Sequence, residues 1–368
     1  MKNVVFFLEA LILSVYLSPY MSLEKIFLQH KEPSVHGRYI TNVEINAFLE
    51  KRYHKATTET IGYSVEERPI QCITIGNGKT KLFFWSQMHG NESTTTKALL
   101  DFINYLMGGS EAASKMLEEC TLKMIPILNP DGAAAYTRVN ANEVDLNRDA
   151  QNRTQPESVA LRKTYDEFQP DYCFNLHDQR TIFNVGSTSK PATVSFLAPS
   201  HNEERSISAS RSISMKLVVA MNHMLQEKIP GQVGRYDDGF NANCIGDTFQ
   251  MLDTPTVLFE SGHYPEDYDR EETRKYIFYS IVTAVNCIST DKLNDFSQLA
   301  YFDIPENSKQ FLDVLIYNAQ ELNPKLKNVV GILYKEVLQN GKIIFEPNID
   351  KSENLNEFFG HAVYDATK

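Results

Sequence analysis

His89 and Glu92 stand three residues apart in FFWSQMHGNESTTTKALLDFINYL (83–106), where an apolar run gives way to a helical pattern. On the turn that opens a helix, an imidazole and a carboxylate at i and i+3 can converge on one cation. A second imidazole, His177, directly follows another apolar run, DYCFNL (171–176). Two histidines and a glutamate form the donor set of a catalytic zinc site, with three protein ligands and a fourth position left for water. One zinc ion there would lower the pKa of that water to about 7, making hydroxide available at neutral pH. Glu260, closing the run TVLFE, is the candidate general base beside that water. None of these residues carries the reading singly. What joins them is that each follows or closes a predicted strand.

Those strands are KLFFWSQM (81–88), LKMIPIL (122–128), DYCFNL (171–176), VSFLAP (194–199) and TPTVLFES (254–261). Each is a mostly apolar run of strand length, as expected when both faces of a sheet are covered. QCITIGNGKT (71–80) alternates and ends at Gly-Asn-Gly, which predicts a hairpin with 81–88. Helical patterns fall between the strands. One is YITNVEINAFLEKRY (39–53), with Thr41 or Asn42 as cap; the others run over 157–168, 206–228 and 270–289. Leu99, Phe102, Ile103 and Leu106 make one buried stripe on the helix after His89. Strand and helix alternation of this kind implies an α/β fold. In open α/β sheets ligands bind beyond the carboxyl ends of the strands, and four strand ends here carry polar or turn-forming groups to one edge.

The 368 residues suffice for one large or two modest domains, and 42% hydrophobic content can build a sizeable core. A net charge of -11 with no basic run argues against a nucleic-acid partner. Cys72, Cys120, Cys173, Cys244 and Cys287 form no C-x-x-C pair, so they read as free thiols of a reducing compartment. Residues 1–20 read as a leader or an incidental extension, with Glu9 interrupting a run too short for a stable membrane span. The expectation is a cytoplasmic protein, with export as the alternative if 1–20 acts as a signal peptide. Residues 21–290 read as the catalytic unit and 291–368 as a small appended element. Within it, VVGILYKEVLQNGKIIFEP (329–347) is a strong hairpin signal about Asn-Gly.

Taken together, MHGNES (88–93), LNPDGAAAYTRVNANEVDLNRDA (128–150), FNLHDQ (174–179) and LFESG (258–262) resemble the zinc metallocarboxypeptidases in order and rough spacing, over about 60–290. The likeness is to the pancreatic enzyme's fold and its bacterial relatives. It implies a three-layer α/β/α sandwich with a mixed, mostly parallel central sheet, to which the C-terminal β-rich appendage is added. It implies His89, Glu92 and His177 as the ligands of one zinc ion, with Asp145 orienting His89. It further implies that Glu260 acts as base and then proton donor, and that Arg138 faces the scissile carbonyl. Asn147 and Arg148 would grip a terminal carboxylate, for which an arginine fork is suited. Many relatives read N-R-N-F where this chain has Asn147-Arg148-Asp149-Ala150. Tyr236, in GRYDDGFN, is the candidate for the mobile tyrosine that the family often places over its substrate. The side-chain pocket is expected near 240–253, where Asp247 is either a reader of basic groups or an ordinary buried hydrogen-bonding residue. The substrate would be a peptide, or an acyl-amino acid if the chain is instead a zinc amidohydrolase like the aspartoacylase and desuccinylase group. A metal-free binding module is the third alternative.

Overall fold

The computed structural model describes residues 22–50 and 56–368. The leader expected at 1–20 and the last positions of the helix predicted over 39–53 lie outside them.

In chain order, α1 (Leu23–His30) and α2 (Asn42–Glu50) precede β1 (Thr57–Tyr63), β2 (Pro69–Ile75) and β3 (Thr80–Ser86). Then come α3 (Thr94–Met107), α4 (Glu111–Glu119), β4 (Cys120–Ile125), α5 (Pro130–Ala135), α6 (Pro156–Phe168) and β5 (Tyr172–Asp178). β6 (Asn184–Val185), β7 (Val194–Leu197), α7 (Ala209–Gln226), β8 (Val233–Arg235), α8 (Ile245–Met251), β9 (Thr256–Ser261) and α9 (Glu271–Ser289) follow. The C-terminal part adds β10 (Asn307–Ser308), β11 (Phe311–Tyr317), β12 (Val329–Gln339), β13 (Lys342–Lys351) and β14 (Phe359–Asp365).

Successive side chains of a strand point to opposite faces. In β3, Leu82 and Phe84 enter one apolar core while Phe83 and Trp85 enter the other. The first and larger core lies under α1, α3, α4, α7 and α9, and the second under α6 and α8. That is the three-layer sandwich. Eight strands form its sheet in the order β1-β2-β4-β3-β5-β9-β7-β8. β4, β3, β5 and β9 run parallel to one another, so their carboxyl ends share one edge.

The predicted hairpin over 71–88 does not form. β4 lies between β2 and β3, antiparallel to the first and parallel to the second. The Gly76-Asn77-Gly78 link crosses the start of β4 instead of turning back. A Cβ on Gly78 would come within 1.9 Å of the Glu119 carbonyl carbon. Asn77 and Gly78 donate their N–H groups to Leu117 O and Cys120 O. The two glycines thus serve a close backbone approach.

The second predicted hairpin does form. Gln339 pairs with Lys342 around Asn340 and Gly341, whose φ values of 51° and 72° suit a tight turn. β11–β14 make a separate four-stranded sheet, ordered β13-β12-β11-β14. Its Asp313 accepts from Tyr268 Oη at 2.8 Å, and His361 Nε2 lies 2.8 Å from Thr181 O. All five cysteines are unpaired, and no helix among the described residues is long and apolar enough to cross a membrane.

Candidate metal centre and cleft

The segment between β3 and α3 carries His89 and Glu92 past the sheet edge. It is held in place by the Asn129-Pro130-Asp131-Gly132 turn after β4. Asn129 Oδ1 accepts from Gly132 N at 2.8 Å while its Nδ2 donates to Met88 O at 3.2 Å. Gly90 lies so close to this turn that a Cβ there would sit 1.9 Å from the Gly132 carbonyl carbon. The turn is therefore a brace for the histidine loop. His177 lies near the end of β5, directly in register with Glu260 on β9, which places the two side by side.

His89 Nδ1 lies 2.8 Å from Glu92 Oε1, and His177 Nδ1 lies 2.9 Å from Glu92 Oε2. The two imidazole Nδ1 atoms are 3.1 Å apart. One donor atom from each residue lies within 4.8 Å of the others, so the three converge as the sequence predicted. His89 Nε2 is 3.0 Å from Asp145 Oδ1, which can only accept. A proton on Nε2 would leave Nδ1 to present its lone pair to the cluster. Two such nitrogens and a carboxylate fit a zinc ion by number and chemistry.

Burial alone would lower the His89 pKa, but Glu92 and Asp145 outweigh it and raise it. Burial would likewise raise Glu92, yet the two imidazoles hold it well below the usual carboxylate range. Glu260 has no such support. Burial, then the charges of Glu92 and Asp178, push it well above that range, and its Oε2 is buried without a hydrogen-bond partner.

Arg138 reaches the cluster from the loop after α5, with Nη1 3.2 Å from His89 Nδ1 and 3.3 Å from Glu92 Oε1. Its Nε and Nη2 each donate to Asp145 Oδ2 at 3.1 Å. Asp145 thus positions both His89 and Arg138; the sequence pointed only to the first. Asp178, whose role the sequence left open, accepts from Thr94 N and Thr95 N at the start of α3. Its own N–H donates to Glu92 Oε2 at 3.1 Å, fixing the glutamate.

Asn147 and Arg148 border a cavity of about 450 Å³ together with His89, His177, Tyr236 and Glu260. Asn147 Oδ1 already accepts from Ile245 N at 3.0 Å, so any substrate contact must come from its Nδ2. Asp149, at the departure from the family motif, spends both oxygens on Thr154 and Gln155 and braces the loop internally. Asp247 and Asn175 also line this cavity. Asn175 is fully buried with neither amide atom paired. Sequence reading missed it, although it stands two residues before His177 on the same strand face.

The chain is similar to known proteins in sequence and fold. Residues 43–216 match the family model described as zinc carboxypeptidase. Probable carboxypeptidase 2 of Arthroderma benhamiae is 28% identical over 113 residues, which is 30% of this chain and 21% of that protein. Carboxypeptidase D of Homo sapiens is 26% identical over 151 residues, 34% of this chain and 11% of that protein. The chain therefore spans about a fifth or less of the length of these curated relatives. Among solved structures, a metallo-carboxypeptidase from Burkholderia cenocepacia superposes with a TM-score of 0.55 at 18% identity, covering 69% of this chain and 70% of that one. A putative carboxypeptidase A from Shewanella denitrificans gives 0.55 at 15%, with coverage of 69% and 70%. Over residues 43–216, a little under half of its length, this chain is similar to the zinc carboxypeptidase family.

Proposed function

We propose that this protein removes the C-terminal residue of peptides, as a zinc-dependent carboxypeptidase. The observation that carries the reading is the convergence of His89, Glu92 and His177 beside the unpartnered carboxyl of Glu260. Zinc held by those three residues would supply Lewis-acid chemistry, acidifying water and drawing charge from the scissile carbonyl. Glu260 takes the proton of the attacking water and returns it to the leaving nitrogen. Arg138 offers N–H groups to the oxygen on which charge develops. Arg148 and the Asn147 amide hold the terminal carboxylate, and Tyr236 closes the pocket beside Glu260.

The test is turnover of a C-terminal peptide library by purified protein with zinc added and then chelated. Zinc-dependent release of single C-terminal residues is expected. Cleavage of N-acetyl or N-succinyl amino acids with no action on peptides would instead establish the amidohydrolase alternative.

Arg148→Ala is expected to lower kcat/KM by about 10- to 100-fold for peptides with a free carboxylate, mainly through KM, as for a lost charge-assisted hydrogen bond. C-terminally amidated peptides should lose far less. Equal losses on both would reject the clamp.

Asp247 and Asn175 border the pocket that receives the departing side chain, and both suit a donor-rich group such as guanidinium or ammonium. Burial pushes Asp247 up to about 7, while Arg148 and Arg211 nearby pull the other way. The ionised form is needed to attract a cation, so the preference for lysine over leucine should rise as pH increases from 6 to 8. In Asp247→Asn the kcat/KM ratio should be small and flat with pH. A wild-type ratio that does not change across this range would remove Asp247 from substrate selection.

A further inference from the structure

A second cavity of about 520 Å³ meets the first at Glu92, Arg138, Asp178, Gln179 and Arg180. Arg148 and Asp247 border only the first cavity, and the β12–β13 hairpin borders only the second. A substrate whose carboxyl end lies in the first can therefore extend the part before its scissile bond into the second. The appended sheet is in this way a wall of the cleft. Glu336 of β12 fixes it there, 3.0 Å from Arg38 Nη1 and accepting a hydrogen bond from Tyr136 Oη.

Five basic side chains, Arg38, Arg138, Arg180, Arg270 and Lys335, line this lobe beside four acidic ones, Glu92, Asp178, Glu336 and Asp350. Glu92 belongs to the metal cluster, and Asp178 spends its oxygens on the start of α3. Glu336 is occupied by Arg38 and Tyr136. Arg270, only 1% exposed, donates to two backbone carbonyls, Ser261 O and Gln179 O, and forms no ion pair among the described residues. Nε of Arg270 and Nε of Arg38 are both buried without a hydrogen-bond partner. A buried guanidinium lacking a carboxylate is costly. Arg270 also holds a left-handed backbone, φ 60°, at the entry to α9, a conformation that persists only where surrounding structure enforces it. Exposed Arg180 and Lys335 add positive charge at the mouth of the lobe.

We infer that this lobe is a subsite for an acidic group on the acyl side of the scissile bond, recognised by Arg270 and steered in by Arg180 and Lys335. The inference rests on the carboxypeptidase reading for the direction in which substrate lies. Recognition here spans both parts of the chain, since Lys335 and the Glu336 anchor come from the appended sheet.

The test uses zinc-loaded full-length protein and paired peptides, acyl-Glu-X and acyl-Gln-X, with X the preferred C-terminal residue. The glutamate peptide should have about tenfold higher kcat/KM, as for one charge-assisted contact, and the ratio should shrink as salt is raised. It should fall toward unity in the doubly substituted variant Arg180→Gln/Lys335→Gln, where both changes are on exposed side chains. Binding is read separately by thermal shift with N-acetylglutamate α-amide against N-acetylglutamine α-amide. Only the first should raise Tm, and less so in the double variant. Cleavage of both peptides at equal rates, with no difference in shift, would overturn the subsite and leave the proposed activity standing. A charge-selective shift without any peptide cleavage would uphold the subsite and overturn the proposed activity.

Discussion

Glu260→Gln is expected to leave zinc occupancy intact and lower kcat by about 10²–10⁴-fold, the usual contribution of a positioned acid–base group. The substitution preserves shape, and Glu260 is not among the three converging ligands, so the cluster should hold its metal. The carboxyl is 8% exposed and in register with His177, close to where the attacking water must lie. Its raised pKa reflects a group short of partners, which suits it to accept and release a proton. A glutamine there can orient water but cannot carry its proton. Because the same residue serves both the attack and the departure of the amine, KM should change little while kcat falls. Metal content by elemental analysis and steady-state kinetics on one peptide check both halves. A variant with near wild-type kcat would remove Glu260 from the chemistry.

The sheet was legible wherever a strand is buried on both faces. β3, β4, β5 and β9 are apolar because helices cover the sheet on both sides, and composition alone marks them. β1 was missed for the opposite reason. TTETIGY is an edge strand with mostly polar, partly exposed side chains, and it forms because β2 offers an open edge and α6 packs beside it. The false hairpin at 71–88 had the turn residues of a real one. Local chemistry could not reveal that the glycines were needed to pass over β4, a segment some forty residues later in the chain.

The metal cluster was legible because its residues follow strands whose parallel order brings their ends together. The second lobe was not. Arg38 and Glu336 are joined across almost the whole chain, and neither belongs to a motif. Arg270 sits ten residues after Glu260, at the start of the helix predicted over 270–289, yet its side chain is buried under the cleft. Only the packing of the appended sheet against the body brings these groups to one wall. Asn175 was hidden differently: inside an apolar run it looks like a tolerated polar residue, and its lack of partners is visible only in three dimensions.

His177→Ala should nearly abolish zinc binding, and the comparison with Asp145→Asn makes the expectation sharp. Asp145 is not itself one of the converging ligands: it touches His89 at Nε2 and holds Arg138 beside the cluster. Losing such a supporting carboxylate typically weakens metal affinity by about 10- to 100-fold. Losing a direct donor leaves two ligands where zinc takes three from a catalytic site, and the penalty should exceed that range. It should also appear in stability. Zinc at about 100 times its Kd stabilises a fold by about 2.7 kcal/mol when only the folded form binds it. The wild-type Tm should rise on adding zinc, that of Asp145→Asn should rise only at higher zinc, and that of His177→Ala should not move. The alanine also removes a bulky ring beside Glu92, so circular dichroism must first establish that the variant folds. A folded His177→Ala protein that takes up zinc as readily as wild type would exclude His177 from the ligand set, and with it the convergence on which the proposed chemistry depends.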